Sequence, residues 1–210
     1  MLTRGGDDRG PWPSSLHAAA LAVVAAAFTV LGVLVALGAG GNLDWAIYEW
    51  IVSRRTPACK ALFVAFTTLG SWYVIAPIAL AAGTLFAMTR CRRQALLIML
   101  APTCALLLNI VLKVVFRRTP PGGDGLVAHA RYSFPSGHTM AATAFAVALV
   151  FVAWPTRWRW PVTVGGVAAA AAMGFSRVYV GVHWPSDVIG GWMMGAATAW
   201  LVWLVLRPAR

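Results

Sequence analysis

Long apolar stretches separated by short polar ones make up most of the chain from residue 17 onward. An α-helix rises about 1.5 Å per residue, so an apolar run of roughly 17 to 25 residues can cross the hydrocarbon core of a bilayer. Six runs are of this kind, at residues 17–39, 72–88, 95–113, 138–154, 161–178 and 187–206. The pattern predicts an all-α fold, a polytopic membrane bundle of six transmembrane helices.

The segment between the first two runs has a different character. Residues 42–55 mix Trp and Tyr with acidic and basic side chains, which is typical of the membrane–water interface. The apolar stretch 58–88 that follows is too long for one untilted crossing, and Gly70 and Ser71 divide it. We therefore predict a short interfacial helix, followed by a crossing that begins at about Trp72.

Composition supports a membrane protein. The 210 residues are 60% hydrophobic and 11% charged, with a mean hydropathy of +0.74, which is too apolar for a soluble domain. We expect one integral-membrane domain over residues 1–210, with residues 1–15 as a polar N-terminal tail. A cleaved signal peptide is the alternative for the first run, but about 22 apolar residues exceed the roughly 7 to 15 of a signal peptide.

The net charge of +11 is spread between the apolar runs, which favours contacts with lipid head groups over nucleic acid. Six crossings place both termini on one side, together with most of the basic residues outside the polar clusters: Arg4, Arg9, Arg90, Arg92, Arg93, Arg157, Arg159, Arg207 and Arg210. The positive-inside rule then predicts cytoplasmic termini. We expect the membrane to be a bacterial inner (plasma) membrane. No nucleic-acid partner is expected, and the oligomeric state is not determined by the sequence.

Some polar or small residues fit packing roles. Gly191 and Gly195 form a GxxxG pattern, which we interpret as helix packing within the chain. His17 and His129 are interpreted as hydrogen-bonded packing residues. The cysteines lack metal-ligand spacing and are expected to be free thiols: Cys59, Cys91 and Cys104.

Three polar clusters interrupt the apolar pattern, at residues 112–121, 133–139 and 176–187. Charged and histidine side chains are costly in a membrane and usually serve a function there. Each cluster ends or begins a predicted crossing, and all three fall on the same membrane face. The sequence therefore predicts one site, assembled from three segments on the periplasmic or extracellular side.

The cations of these clusters predict an anion-binding site. Lys113, Arg118 and Arg177 converge on one membrane face, and guanidinium groups bind phosphate oxygens in bidentate fashion. Ser136 and Gly137 lie at a predicted helix start, where a hydroxyl, a close backbone approach and free N–H groups suit the same anion.

The two remaining histidines could perform chemistry on that anion. His138 could protonate a leaving oxygen. Asp187 lies one helical turn after His183 and could hold one ring nitrogen, leaving the other as nucleophile or base. A metal site at His138, His183 and Asp187 is the alternative, disfavoured by the nearby cations. The residues favour phosphoryl transfer on an amphiphilic substrate without a cofactor, and we expect His183 to face the surface.

The clusters resemble the signature of the type 2 phosphatidic acid phosphatase superfamily, which also contains the vanadium haloperoxidases. That signature has three blocks, K-x6-RP, PSGH and SR-x5-H-x3-D. The second is complete from Pro135 to His138, and the third is complete as Ser176, Arg177, His183 and Asp187. The first departs from the pattern, because Pro120 stands where the family has arginine.

The resemblance implies that His183 is the nucleophile, Asp187 its orienting carboxylate and His138 the general acid. The phosphate ligands that it implies are Lys113, Ser136, Gly137 and Arg177. Because Pro120 replaces the family arginine, we expect Arg118 to supply that cation, with Arg117 as an auxiliary.

The implied activity is a metal-independent membrane phosphatase that acts through a phosphohistidine at the outer face. Its substrate would be a lipid phosphate or diphosphate, of the polyprenyl diphosphate, phosphatidic acid or phosphatidylglycerol phosphate class. The alternative is a non-catalytic lipid-phosphate-binding or transport protein of the same fold.

Overall fold

The computed structural model describes residues 14–89, 91–122, 125–128 and 130–207. Most of the predicted N-terminal tail, with Arg4, Arg9, Arg90, His129 and Arg210, lies outside them. All regular structure within them is helical: α1 Ser14–Ala36, α2 Gly41–Val52, α3 Pro57–Leu69, α4 Trp72–Met88, α5 Arg92–Phe116, α6 Gly137–Ala153, α7 Arg159–Tyr179 and α8 Pro185–Val205. The predicted all-α fold is confirmed.

The number of membrane spans is confirmed only in part. In the described part of the chain, α1, α5, α7 and α8 are long and apolar enough to cross a bilayer. Helices α3 and α4 meet at a bend of 46° and satisfy the same criterion together. Helix α6 is apolar but only 17 residues long. Length and composition thus identify four spans, or five with the bent pair, rather than six.

The break between α3 and α4 falls where the sequence predicts it. Gly70 ends α3 and Ser71 precedes α4, so neither continues the helix. At the other end of α3, the Thr56 hydroxyl accepts the N–H of Cys59, and Pro57 occupies the first helical turn. Both features satisfy or remove N–H groups that lack partners at a helix start.

Helix α6 forms the centre of the bundle. Small side chains predominate where it meets α5 and α8, and they let the helix axes approach closely, which is how helices associate in lipid. The buried core residues are Leu97, Ala101 and Ala105 of α5, Met140, Ala144 and Ala148 of α6, and Ala199 of α8. Helix α1 lies on the outside, against α8.

The two glycines of the GxxxG pattern face α6, as the sequence predicts. A Cβ at Gly191 would lie 2.8 Å from the carbonyl oxygen of Ser136, and one at Gly195 would lie 2.4 Å from that of Met140. Backbone atoms cannot move aside as flexible side chains can. The packing of α8 on α6 therefore requires glycine at both positions.

Replacing Gly195 with alanine should destabilise the protein by about 1–3 kcal/mol, because the new methyl group overpacks the α6–α8 contact. Thermal unfolding in detergent would measure the loss. Gly165→Ala in α7 is the matched control, since a Cβ there meets no described atom within 4 Å. Equal unfolding temperatures for the two variants would contradict this account of the contact.

His17 and the cysteines also behave as expected. His17 is buried against Trp200 and Trp203 of α8, and its Nδ1 accepts the indole N–H of Trp200. All three cysteines are free.

Candidate active site

The three polar clusters meet at one end of the bundle. Lys113 lies in the last turn of α5, and Arg177 lies in the last turn of α7. His138 follows Gly137 at the start of α6, and Asp187 lies in the first turn of α8. Helix α6 packs antiparallel to α5 and α7 and parallel to α8, so the last turns of α5 and α7 meet the first turns of α6 and α8.

His183 and Asp187 form a buried pair. The ring Nδ1 of His183 lies 3.3 Å from Oδ2 of Asp187, and the backbone N–H of Trp184 donates to the same oxygen at 2.9 Å. Asp187 is 0% exposed and His183 is 5% exposed. The expectation that His183 faces the surface is therefore wrong. With Nδ1 held by the carboxylate, Nε2 is the nitrogen left for a reaction.

The environment keeps His183 uncharged. It lies in the turn between α7 and α8, where burial lowers its pKa from 6.5 to about 4. The hydrogen bond and the charge of Asp187 raise this pKa, while the charges of Arg177 and Lys113 lower it. Desolvation disfavours the charged imidazolium, so the ring is neutral near pH 7 and its Nε2 lone pair is available.

We expect the ring of His183 to titrate near pH 4, and NMR of histidine-labelled protein would measure the midpoint. Asp187→Asn should move the midpoint lower, since the carboxylate raises the pKa. The unfolded chain takes up the same proton near pH 6.5, so acidification between the two values also destabilises the fold. A midpoint near 6.5, with His183→Gln used to assign the signal, would contradict the described burial.

His138 and Lys113 lie at the same end of the bundle as His183, Asp187 and Arg177. His138 lies within electrostatic range of Arg177, His183 and Lys113. The Lys113 charge interacts in turn with those of Asp187 and Arg177. The structure therefore brings two imidazoles, two cations and one carboxylate into mutual range at this end of the bundle.

Arg177 has the geometry of a ligand-binding group. It is 5% exposed, and one terminal nitrogen donates to the hydroxyl of Thr67 in α3. Its Nε is buried and has no hydrogen-bond partner in the part of the chain that the structure describes. A buried guanidinium N–H without an acceptor is costly, so this group is suited to bind an anion.

The start of α6 is held rigidly for a close approach. The N–H of Ser136 donates to the carbonyl of Asp187 at 3.0 Å. The Ser136 hydroxyl accepts from Thr139, which leaves its own O–H able to donate to a ligand. A Cβ at Gly137 would lie 2.7 Å from Oδ1 of Asn109, so a larger residue there would have to displace this buried amide. Asn109 also donates to the Pro135 carbonyl at 3.0 Å.

Arg118 lies among carboxylates. One terminal nitrogen donates to Oδ1 of Asp187 at 2.7 Å and to the hydroxyl of Ser186 at 2.6 Å, and the other donates to Asp44. These contacts differ from the expected phosphate-binding arrangement, which would direct the terminal nitrogens at the ligand. Phosphate binding by Arg118 stays a prediction.

Arg117 is directed elsewhere. It is exposed, adopts a left-handed backbone conformation with φ 47°, and donates from Nε to the Val114 carbonyl at the end of α5. Its expected auxiliary role gains no support from these contacts.

Three residues near the site are absent from the sequence-based prediction: Asp44, Thr67 and Asn109. In the sequence, nothing distinguishes Asp44 from other charged residues of an interfacial helix, and nothing distinguishes Thr67 from other threonines of an apolar helix. Asn109 does carry a signal, because a single amide within the apolar run 95–113 is costly in a membrane unless it is hydrogen-bonded.

Residues 92–210 match the sequence model of the PAP2 superfamily. The chain belongs to this superfamily. A phosphatidylglycerophosphatase B of Bacillus subtilis is 31% identical over 180 residues, covering 83% of this chain and 89% of the relative. An undecaprenyl-diphosphatase of Sulfolobus acidocaldarius is 28% identical over 183 residues, covering 83% and 85%.

A solved PAP2 structure has the same fold. The crystal structure of a transmembrane PAP2-type phosphatidylglycerolphosphate phosphatase from Bacillus subtilis superimposes with a TM-score of 0.80 at 29% identity, covering 87% of this chain and 93% of that one. All three PAP2 blocks lie inside the matched segment of this chain, whereas Asp44 and Thr67 precede it.

Proposed function

We propose that this PAP2 protein hydrolyses a lipid phosphate or diphosphate at the outer face of the membrane, through a phosphohistidine at His183 and without a metal. The observation that carries this proposal is the buried His183–Asp187 pair beside Arg177, whose Nε lacks an acceptor among the described residues. The pair supplies an oriented, neutral nucleophile, and the guanidinium supplies a ligand for the phosphate.

The first half of the reaction forms the phosphoenzyme. Nε2 of His183 uses its lone pair to form an N–P bond while the P–O bond to the lipid breaks. His138, in its protonated form, gives a proton to the departing oxygen. Asp187 stabilises the positive charge that develops on the ring of His183.

The second half regenerates the enzyme. Water attacks phosphorus, His138 takes its proton, and the P–N bond breaks to release inorganic phosphate and neutral His183. Charge on the equatorial oxygens is stabilised by the proposed phosphate ligands: Lys113, Ser136, Gly137 and Arg177.

Two observations support a lipid as the substrate. Relatives of the chain are named undecaprenyl-diphosphatase and phosphatidylglycerophosphatase B. An apolar cavity of about 220 Å³ also lies between α4, α5 and α6, and its lining includes Leu106 and Ala141. Ala141 is about one helical turn from His138, so an apolar chain in this cavity would be anchored close to the phosphate. We infer the polyprenyl diphosphate, phosphatidic acid or phosphatidylglycerol phosphate class.

The orientation is part of the proposal. Counting α3 and α4 as one bent crossing, and α6 as another, gives six crossings with both termini on one side. Most basic residues outside the site fall on that side, which favours cytoplasmic termini. The site then faces the periplasm or exterior of a bacterial plasma membrane.

A phosphate-release assay tests the proposal. Detergent-purified protein should release phosphate from at least one member of a panel of lipid phosphates, and EDTA should leave the rate unchanged. An impermeant substrate should be cleaved by right-side-out vesicles and spared by inverted ones. A requirement for added divalent metal would contradict the mechanism, and cleavage only by inverted vesicles would contradict the orientation.

A non-catalytic lipid-phosphate-binding or transport protein is the second candidate. Pro120 favours it, because the arginine of the first PAP2 block is absent and Arg118 is bound to carboxylates. Saturable binding of a lipid phosphate, with no release from any member of the panel, would support this alternative.

A further inference from the structure

The two oxygens of Asp187 face different partners. Oδ2 accepts from Nδ1 of His183 and from the N–H of Trp184, both of which precede α8. Oδ1 accepts from Arg118, which follows α5. The orientation of this carboxylate, and hence of the His183 ring, is therefore set from two sides.

Arg118 is itself held by a second carboxylate. Its two terminal nitrogens divide between Asp187 and Asp44, and the Arg118 side chain is 15% exposed. The guanidinium is planar and rigid, so fixing one end fixes the other. Asp44 thus restrains the group that restrains Asp187.

Asp44 also binds the start of α8 directly. Its Oδ1 accepts the backbone N–H of Ser186 at 2.9 Å, and its Oδ2 accepts the Ser186 hydroxyl. The first N–H groups of a helix lack partners within it, and the positive end of the helix dipole favours a carboxylate there. Asp44 therefore acts as an N-terminal cap supplied to α8 by α2.

We propose that Asp44 and Arg118 are positioning residues that hold Asp187, and through it the His183 ring, in the geometry for attack on phosphorus. The proposal rests on the proposed phosphatase function. Under this proposal, Arg118 needs no contact with the substrate. Asp44 also becomes part of the site, although it lies before the segment matched by the PAP2 model.

Charge balance explains why both residues are needed. Arg118 lies between two carboxylates, so its positive charge offsets part of the charge of each. Loss of Asp44 leaves Arg118 with one carboxylate partner, Asp187, beside the Ser186 hydroxyl, and removes the cap of α8. A misplacement of about 1 Å at a reacting group costs roughly 100-fold in rate. Loss of either residue should lower kcat rather than raise KM, because neither residue is required to bind the phosphate.

Steady-state kinetics of Asp44→Asn and Arg118→Lys test the proposal, with inorganic phosphate as a competitive inhibitor. We expect Asp44→Asn to lower kcat about 10- to 100-fold. KM and the inhibition constant of phosphate should stay within about threefold of the parent values. Glu49→Gln is the matched control, since it removes an exposed acid from the same helix and should leave all three constants unchanged.

A second readout does not need activity. Histidine-labelled protein has only four histidines, and the NMR signal of His183 should shift in Asp44→Asn but not in Glu49→Gln. If Asp44→Asn does not fold, Arg118→Lys provides the same two measurements.

The outcomes separate the two proposals. A parent protein that hydrolyses no lipid phosphate overturns the proposed function, and the His183 signal then decides the positioning role. An active parent with an unchanged kcat in Asp44→Asn overturns the positioning role alone. A rise in KM and in the phosphate inhibition constant for Arg118→Lys, with kcat retained, assigns Arg118 to the phosphate and also overturns it.

Discussion

Replacing His183 with glutamine should abolish phosphate release, lowering kcat by at least about 10⁴-fold, because removal of a nucleophile eliminates the covalent route. Glutamine can still hydrogen-bond to Asp187 but cannot form a phosphohistidine. The assay is release of inorganic phosphate from the best substrate of the lipid panel, together with acid-labile phosphate on the quenched protein. Both signals should disappear.

The folding control for this variant matters, because His183 is buried rather than exposed. Thermal unfolding should show that His183→Gln remains folded. His17→Gln provides the matched comparison: it replaces a buried histidine that contacts Trp200, at the opposite end of α8, and should retain turnover per folded molecule. Full activity in a folded His183→Gln protein would eliminate the phosphohistidine mechanism.

Arg177→Gln should lower kcat/KM by about 10²- to 10³-fold, because one charged donor to the transition-state oxygens is lost in a buried setting. Arg177→Lys should fall between this variant and the parent, since lysine keeps the charge but not the planar fork. The inhibition constant of inorganic phosphate should rise in both variants. This response would distinguish Arg177 from a positioning residue.

Arg54→Gln is the control for charge removal. Arg54 is exposed and donates to the carbonyl of Trp50 within its own segment, so its loss should leave kcat/KM unchanged. An Arg177→Gln protein that binds phosphate as tightly as the parent would show that Nε of Arg177 does not bind the anion.

The apolar runs predict the helices well because a bilayer imposes both their length and their composition. The run 161–178 corresponds to α7 at Arg159–Tyr179, and the break at Gly70 and Ser71 is where α3 gives way to α4. The number of crossings is harder to predict, since a bent helix pair and the 17-residue α6 can be counted in more than one way.

The main candidate residues stand out in the sequence because charges and imidazoles are rare in such a chain. His183 and Asp187 are also four residues apart, which is local information. Contacts between distant segments carry no such signal: Asp44 and Ser186 are separated by 142 positions. The sequence also does not determine the direction of a long side chain. Arg118 could have pointed to a phosphate as readily as to two carboxylates.

The position of Asp44 and Thr67 affects how PAP2 sequences should be compared. A fragment of residues 92–210 would retain every signature residue of this chain, yet it would lack the carboxylate beneath Arg118 and the hydroxyl that receives Arg177. The amino-terminal helices thus supply two side chains that contact arginines of the candidate site. Relatives that share all three blocks can still differ in rate through substitutions far upstream of them.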